Sequence, residues 1–193
     1  MDIIKKTKDI LVTPKTAWQT IAEENQNHLQ ILTNYLIPLA LIPALATFIG
    51  YGIIGHTILG VHIGSVGLGL RQAILSFFTS LGGVYLSAWV IYLLSPKFEL
   101  SSDFSRSFQL VAYSYTPIFV AGILLIVPSM SIIATLAGLY GLFLLYLGIT
   151  PILQTPDDKK NTFYVVSLLS IIVVSILISS ILSVLIIKPY SFI

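Results

Sequence analysis

Apolar residues run along this chain in five long blocks separated by short polar or glycine-rich connections: Asn34 to Ile54, Arg71 to Leu94, Leu110 to Val127, Ser131 to Thr150 and Phe163 to Ile187. Each approaches the roughly 20 residues with which an α-helix crosses a hydrocarbon core of about 30 Å. Backbone amides in lipid must be satisfied within their own segment, so such blocks are predicted as helices rather than lone strands. The pattern predicts an all-α, polytopic membrane helix bundle of five transmembrane helices over residues 34–193, preceded by a polar segment, residues 1–33. The stretch Ala112 to Thr150 contains two membrane-length apolar runs, carries no charge and turns around Pro128 to Met130. So short a turn makes spans three and four antiparallel neighbours.

Polar positions then set the threading. Lys5, Lys6, Lys8 and Lys15 precede span one, Lys97 and Arg106 follow span two, and Lys159 and Lys160 follow span four, whereas the other side has only Arg71 and Lys188. Positive residues in short connections stay on the cytoplasmic side. The N-terminus is therefore expected in the cytoplasm and the C-terminus outside. Within residues 1–33, Thr13 caps a helix with Pro14 at its first position, and Trp18, Ile21, Leu29 and Leu32 recur at helical spacing. An amphipathic helix lying on the inner surface is expected, with Trp18 as its interfacial anchor. A second ramp follows span two, with Ser101 or Ser102 as N-cap, Asp103 in the first turn, and Phe104, Phe108, Val111 and Tyr115 on one stripe. The glycine-rich connection 55–70 reads as a flexible outer loop.

Composition agrees: the chain is 56% hydrophobic and 9% charged, with a mean hydropathy of +0.95, which places it in the membrane class. No cysteine is present, so a disulfide framework, a thiolate metal site and a Cys nucleophile are all excluded. The first apolar run begins too late for a cleaved signal peptide, and a net charge of +2 does not suggest nucleic-acid binding.

Candidate chemistry is sparse. Pro117, inside span three, lacks the amide that would meet the Tyr113 carbonyl, so a kink is expected there. It is read either as a hinge or polar lining, or as a bend whose carbonyl is met by the Ser114 or Thr116 hydroxyl or a neighbouring helix. Tyr85, Trp89 and Tyr92 share a face of span two, either as a bundle-facing cluster or as part of an inner-leaflet belt. Together with Tyr113, Pro117, Tyr140 and Tyr146 they form the candidate cavity or partner site. Ser175, Ser179 and Ser183 in span five, and Gly82, Gly83 and Ser87 in span two, read as close-packing stripes. No Asp, Glu, Lys or His falls inside a span, although ion-coupled carriers and proton relays commonly put such groups there. His56 and His62 in the outer loop are a weak metal signal, and HExxH, GxSxG and phosphate-binding glycine loops are missing. No catalytic residue, metal or cofactor is expected.

The segments AYSYTP, residues 112–117, GLYGLFLLYLGIT and TPDDKK, with LVTPKTAWQTIAEE at residues 11–24, resemble the bacterial branch of the Yip-domain (Ypt-interacting-protein) family of five-span membrane proteins. The resemblance implies a five-helix fold with a cytoplasmic N-terminus, and Tyr113 and Pro117 match the Gly-Tyr-x-x-x-Pro-like pattern of the family's third span, with Ala112 in place of glycine. Eukaryotic relatives are linked to vesicle traffic and small prenylated GTPases, and carry a longer cytoplasmic region and an Asp-Leu-Tyr-Gly-Pro motif, of which only Leu139-Tyr140-Gly141 occurs here, inside span four. The expected function is a non-enzymatic protein of a bacterial plasma membrane that organises the bilayer or docks partners through its cytoplasmic face; a homo-oligomer is also open. The alternative is a facilitative conduit for a small neutral solute or lipid through a tyrosine-lined cavity.

Overall fold

The computed structural model describes residues 2–24, 26–58, 61–100 and 103–187. Two short helices open the chain. In α1 (Ile3–Val12) the Asp2 carboxylate accepts the Ile4 and Lys5 amides at 3.1 and 3.2 Å, satisfying donors that a helix start leaves without partners. α2 (Pro14–Glu23) begins with proline at its first position, where the missing N–H has no cost. The single amphipathic helix expected through Leu29 and Leu32 is broken after Glu23, because Asn27 and Gln30 form a reciprocal capping box that starts a new helix at His28.

That helix, α3, runs over His28–Ile54, so span one begins six residues before Asn34. Its turn Leu32–Leu36 is a π-helix, with the Ile37 amide bonding the Leu32 carbonyl. The wider turn stands immediately before Pro38, whose missing amide interrupts the ordinary ladder. Strands β1 (His56–Ile58) and β2 (Val61–Ile63) pair antiparallel, His56 opposite Ile63 and Thr57 opposite His62. Part of the outer connection is thus a hairpin rather than a loop, since Thr57, Ile58, Val61 and Ile63 are β-branched and favour extended backbone.

Span two, α4 (Val66–Leu94), is capped by Ser65 and ends in a 3-10 turn, Ser95–Phe98. α5 (Phe104–Ser114) is capped by the Asp103 side chain, which accepts the Ser105 amide at 2.9 Å. Asp103 takes the role expected of Ser101 or Ser102, which lie outside the described residues. Beyond Tyr115, span three continues as α6 (Thr116–Ala121) and a 3-10 turn, Gly122–Ile126. Span four is α7 (Ser131–Leu153), and α8 covers Asp157–Ile187. Among the described residues four stretches, α3, α4 with its 3-10 turn, Phe104–Ile126 and α7, are long and apolar enough to cross a membrane. The helix α8 carries the fifth apolar block, and the side chains of Ser175, Ser179 and Ser183 fall outside the described residues.

α3 packs along α4, α5 lies between α4 and α7, and α8 touches α4 and α7. Where α3 crosses α4, a Cβ on Gly69 would stand 2.5 Å from the Gly52 Cα, so this crossing requires glycine. Gly82, expected in a packing stripe, has nothing within 4 Å of an added Cβ, and Gly83 has only the Tyr115 ring. Leu136, Leu139 and Phe143 on α7 and Ile74 and Phe78 on α4 are exposed, as lipid-facing residues should be. The fully buried large side chains, Trp18, Tyr35, Tyr113, Phe108 and Phe163 among them, concentrate instead toward the end where the charges lie. There α1 and α2 join the bundle's own core, with Ile10, Trp18 and Ile21 in the same cluster as Phe108, Tyr113 and Leu144.

Candidate functional site

The hairpin α1–α2 is seated on α5, α6 and α7 by apolar contacts, of which Trp18 makes the largest, and by several polar ones. α1 turns Lys6 and Ile10 into the bundle and leaves Ile4, Lys5, Lys8 and Val12 outside, the division that a 3.6-residue period makes. α2 inserts Trp18, which is 0% exposed. Its indole occupies the space left by Gly148 of α7, where a Cβ would stand 2.7 Å from two indole carbons, and meets the Tyr113 ring edge-on at 6.2 Å. Trp18, expected as an interfacial anchor, is thus buried between helices rather than exposed on the surface of the protein. The apolar face of α2 meets helices rather than lipid, because α5 and α7 offer it a closely fitting wall.

Charge follows the same route inward. The Lys6 ammonium pairs with the Glu24 carboxylate, lies 3.5 Å from the Tyr113 hydroxyl and 5.7 Å from that ring's centroid. Lys6 is only 16% exposed. No span carries this charge in sequence; the hairpin delivers it against span three. From the other side, α5 supplies donors to the C-terminal carbonyls of α2: Gln109 Nε2 to Ile21 at 2.9 Å and Arg106 to Ala22 at 2.6 Å. Such carbonyls lack helical partners and favour a cation nearby. The Tyr140 hydroxyl likewise donates to the Leu11 carbonyl at 2.8 Å.

At Pro117 the carbonyl of Tyr113 accepts the Thr116 hydroxyl at 2.7 Å. Since that proton is used, the Tyr35 hydroxyl, 2.7 Å from Thr116 Oγ1, must be the donor in their contact. Tyr35 also packs on Tyr113 with ring centroids 4.4 Å apart. The free carbonyl of the kink is thus satisfied inside protein, and Tyr113, Thr116 and Pro117 are all buried.

The seven candidate residues fall into separate groups. Tyr113, Pro117 and Tyr140 lie beside the docked hairpin. Tyr85 packs on Phe108 at 4.8 Å and Tyr92 on Phe104 at 6.0 Å, while Trp89 on the same helix is 53% exposed. Tyr146 faces α8, with Lys160 4.2 Å over its ring and its hydroxyl donating to Asn161 at 3.0 Å. None of the seven lines the cavity of ≈ 180 Å³ between α4, α5, α7 and α8, where Ser87 meets Tyr115, or the ≈ 340 Å³ cavity nearer the uncharged end, bounded by Ser76, Thr79, Ser80 and Thr135. They do not enclose one space.

The charged connections also contact one another. Lys159 pairs with Glu99 at 2.5 Å, and this ammonium holds the Glu99 carboxyl below its usual range. The His28 ring meets Phe104 at 5.2 Å. Among the described residues no three His, Cys, Asp or Glu stand close enough to hold a metal ion. The residues missed from sequence are Lys6, Glu24, Arg106 and Gln109. Their signal was the spacing of Ile3, Lys6 and Ile10, which marks one helix face but which three neighbouring lysines disguise as a solvated segment.

A bundle of apolar helices with a charged end closed by an N-terminal helical hairpin defines a polytopic membrane protein. The Yip1 domain family model matches residues 8–181, and the chain belongs to that family. It is 28% identical over 158 residues to Inner membrane protein YohC of Escherichia coli strain K12, covering 78% of this chain and 80% of that one, and equally to the protein of that name in a second Escherichia coli strain. No solved structure matches the chain.

Proposed function

We propose that the protein is a non-enzymatic component of a bacterial inner membrane that docks a partner or organises the bilayer through its charged end. One observation carries this reading: residues 2–31, 97–109 and 154–162, far apart in sequence, meet in one face. The contacts are Arg106 to the Ala22 carbonyl, His28 to Phe104 and Lys159 to Glu99. In the threading predicted from the lysines and arginines, this face is cytoplasmic. The relatives are named inner membrane proteins, which supports the choice of membrane.

The conduit reading is not favoured, because it required the carbonyl near Pro117 and several tyrosine hydroxyls to line one cytoplasm-facing cavity on the order of 300 Å³ or more. The Tyr113 carbonyl is instead bonded by Thr116, and the tyrosines pack on phenylalanines, meet the hairpin or face α8. The test is photo-crosslinking in native membranes from Gln19, Lys97 and Asp158. Capture of the same partner or lipid from all three supports a single docking face. If nothing specific is captured, and the purified protein moves a neutral solute across vesicles, the conduit replaces it.

A further inference from the structure

We propose that the half of the bundle away from the charges binds an uncharged polyhydroxyl group, a sugar or glycerol moiety, in the ≈ 340 Å³ cavity between span three, α4 and α7. That volume is at the lower end of the roughly 300–1,000 Å³ usual for small-ligand sites and has room for about eleven water-sized groups, the size of a single hexose. Ser76 and Ser80, one turn apart on α4, and Ser131 at the start of α7 line it and are half-buried. Hydroxyls elsewhere in this bundle commonly bond their own helix, as Thr47 does the Pro43 carbonyl, Ser95 that of Ile91 and Ser114 that of Leu110. On the cavity wall Thr79 and Thr135 do the same, with the Leu75 and Ser131 carbonyls at 2.6 and 2.9 Å. Among the described residues, the hydroxyls of Ser76, Ser80 and Ser131 have no hydrogen-bond partner in the chain. The fold therefore leaves three donor–acceptor groups on the wall of one space.

The chemistry of the wall selects the occupant. No Asp, Glu, Lys, Arg or His lines the cavity, so a charged ligand would stand in a low-dielectric site with nothing to neutralise it. The space is also too roomy for three hydroxyls to ligate a bare ion. An acyl chain would leave all three hydroxyls against methylenes, where a polar group without a partner is costly. A polyhydroxyl group both donates to and accepts from serine, and the aromatic side chains of Tyr115 and Phe119, which share the wall, suit the apolar C–H groups of a sugar ring. The site is closed toward the charged end. Tyr115 and Ile118 line both this cavity and the ≈ 180 Å³ one beyond it, and the Tyr115 hydroxyl meets Ser87 Oγ at 3.2 Å across the partition. Binding rather than passage is therefore inferred. None of these residues belongs to the proposed docking face, so the two readings stand or fall separately.

The test uses full-length protein in phosphatidylcholine nanodiscs, with two probes. Native mass spectrometry counts monoglucosyl diacylglycerol retained from nanodiscs that contain it, and equilibrium dialysis measures free glucose and glycerol against nanodiscs that do not. Saturable binding of one glucosyl or glycerol group per chain is expected. Retention of the glucosyl lipid without uptake of free glucose or glycerol assigns the site to a lipid headgroup, and saturable uptake of either free molecule assigns it to a soluble solute. S76A/S80A/S131A is expected to weaken binding at least tenfold, through the loss of three hydrogen bonds. Ser80→Leu, which fills the space from one position, should abolish it, and Ser170→Ala, a half-buried hydroxyl on α8 outside the cavity, should leave it unchanged. Because the three hydroxyls bond nothing in the chain, the triple variant should unfold without ligand at the parent's temperature. A lower unfolding temperature assigns them to packing and overturns the proposal. So does the absence of saturable binding by any probe, or equal affinity in the parent and the triple variant.

Discussion

Substituting leucine for Gly148 should expel Trp18 and undock α2. An added Cβ alone would stand 2.6 Å from Leu110 Cδ1 and 2.7 Å from Trp18 Cε2 and Cζ2, and α7 and α5 fix two of the three walls. Overpacking of this kind costs about 1–3 kcal/mol when the site can yield. A leucine leaves no room for the indole, so the loss approaches that of deleting a buried tryptophan, about 3–5 kcal/mol. The chain has two tryptophans, and Trp89→Phe removes the exposed one, leaving Trp18 as sole reporter. In that background the Trp18 emission should be blue-shifted and resistant to both iodide and brominated lipid, because the ring touches neither water nor acyl chains. Gly148→Leu should move the emission to the red and admit at least one quencher, with Gly148→Ala between the two. Strong quenching of the parent by brominated lipid, or no change on Gly148→Leu, would refute the seating of α2 and restore an interfacial role for Trp18.

Other expectations follow from the same contacts. Thr116→Val removes the hydroxyl shared by the Tyr113 carbonyl and Tyr35, leaving two buried polar groups without that partner; a loss of about 1–3 kcal/mol is expected in denaturant or thermal unfolding in detergent, whereas Thr135→Val, exposed on α7, should be nearly neutral. Lys6→Met and Glu24→Gln should each destabilise hairpin docking by about 1–3 kcal/mol, less than the 3–5 typical of fully buried pairs because both groups are partly exposed, and a double-mutant cycle should return positive coupling that Lys5 with Glu24 lacks. Glu99, held below the usual carboxylate range by Lys159, contributes stability that is present above that range and lost as pH falls through its own lower value. With so exposed a pair the effect on unfolding should be small, but carboxyl NMR should show Glu99 returning to the usual range in Lys159→Gln, and an unmoved titration would contradict the pairing.

What was legible in the sequence has a common physical basis. Membrane-length apolar blocks have one backbone solution in lipid, so α4, α7 and the helical course of α8 follow from length alone. The fate of the Tyr113 carbonyl was also readable, since Pro117 removes a donor and Thr116 offers one at the right spacing. Trp18 was not, because an amphipathic helix presents the same residues whether its apolar face meets lipid or protein. What decides between them is Gly148, 130 positions later. The capping box of Asn27 and Gln30 was a readable start signal that the longer apolar pattern at Leu29 and Leu32 concealed. As for the seven-residue site, aromatic spacing on one helix does not determine the facing helix: Phe104 and Phe108 fill the space beside Tyr85 and Tyr92 and leave Trp89 outside.

The absence of Asp, Glu, Lys and His from the five apolar blocks says less about the bundle than it first suggests. α5 enters the core with Arg106 and Gln109 on the side that α2 covers. The last carbonyls of α2, Ile21 and Ala22, lack helical partners, and these side chains satisfy them. Lys6 and Glu24 add a contact of a different kind. Desolvating two opposite charges contributes little net stability, but it penalises any register that separates them. Trp18 in the recess at Gly148 therefore supplies the affinity of the hairpin for the bundle, and the polar contacts fix where it sits. A chain that needed only an anchor could have used an amphipathic helix lying free in the interface. Fixing the hairpin by four polar contacts to two different helices, α5 and α7, holds its outer face in a defined position relative to Glu99, Phe104 and Lys159, which is what the proposed docking face requires and what mere adherence to a bilayer does not.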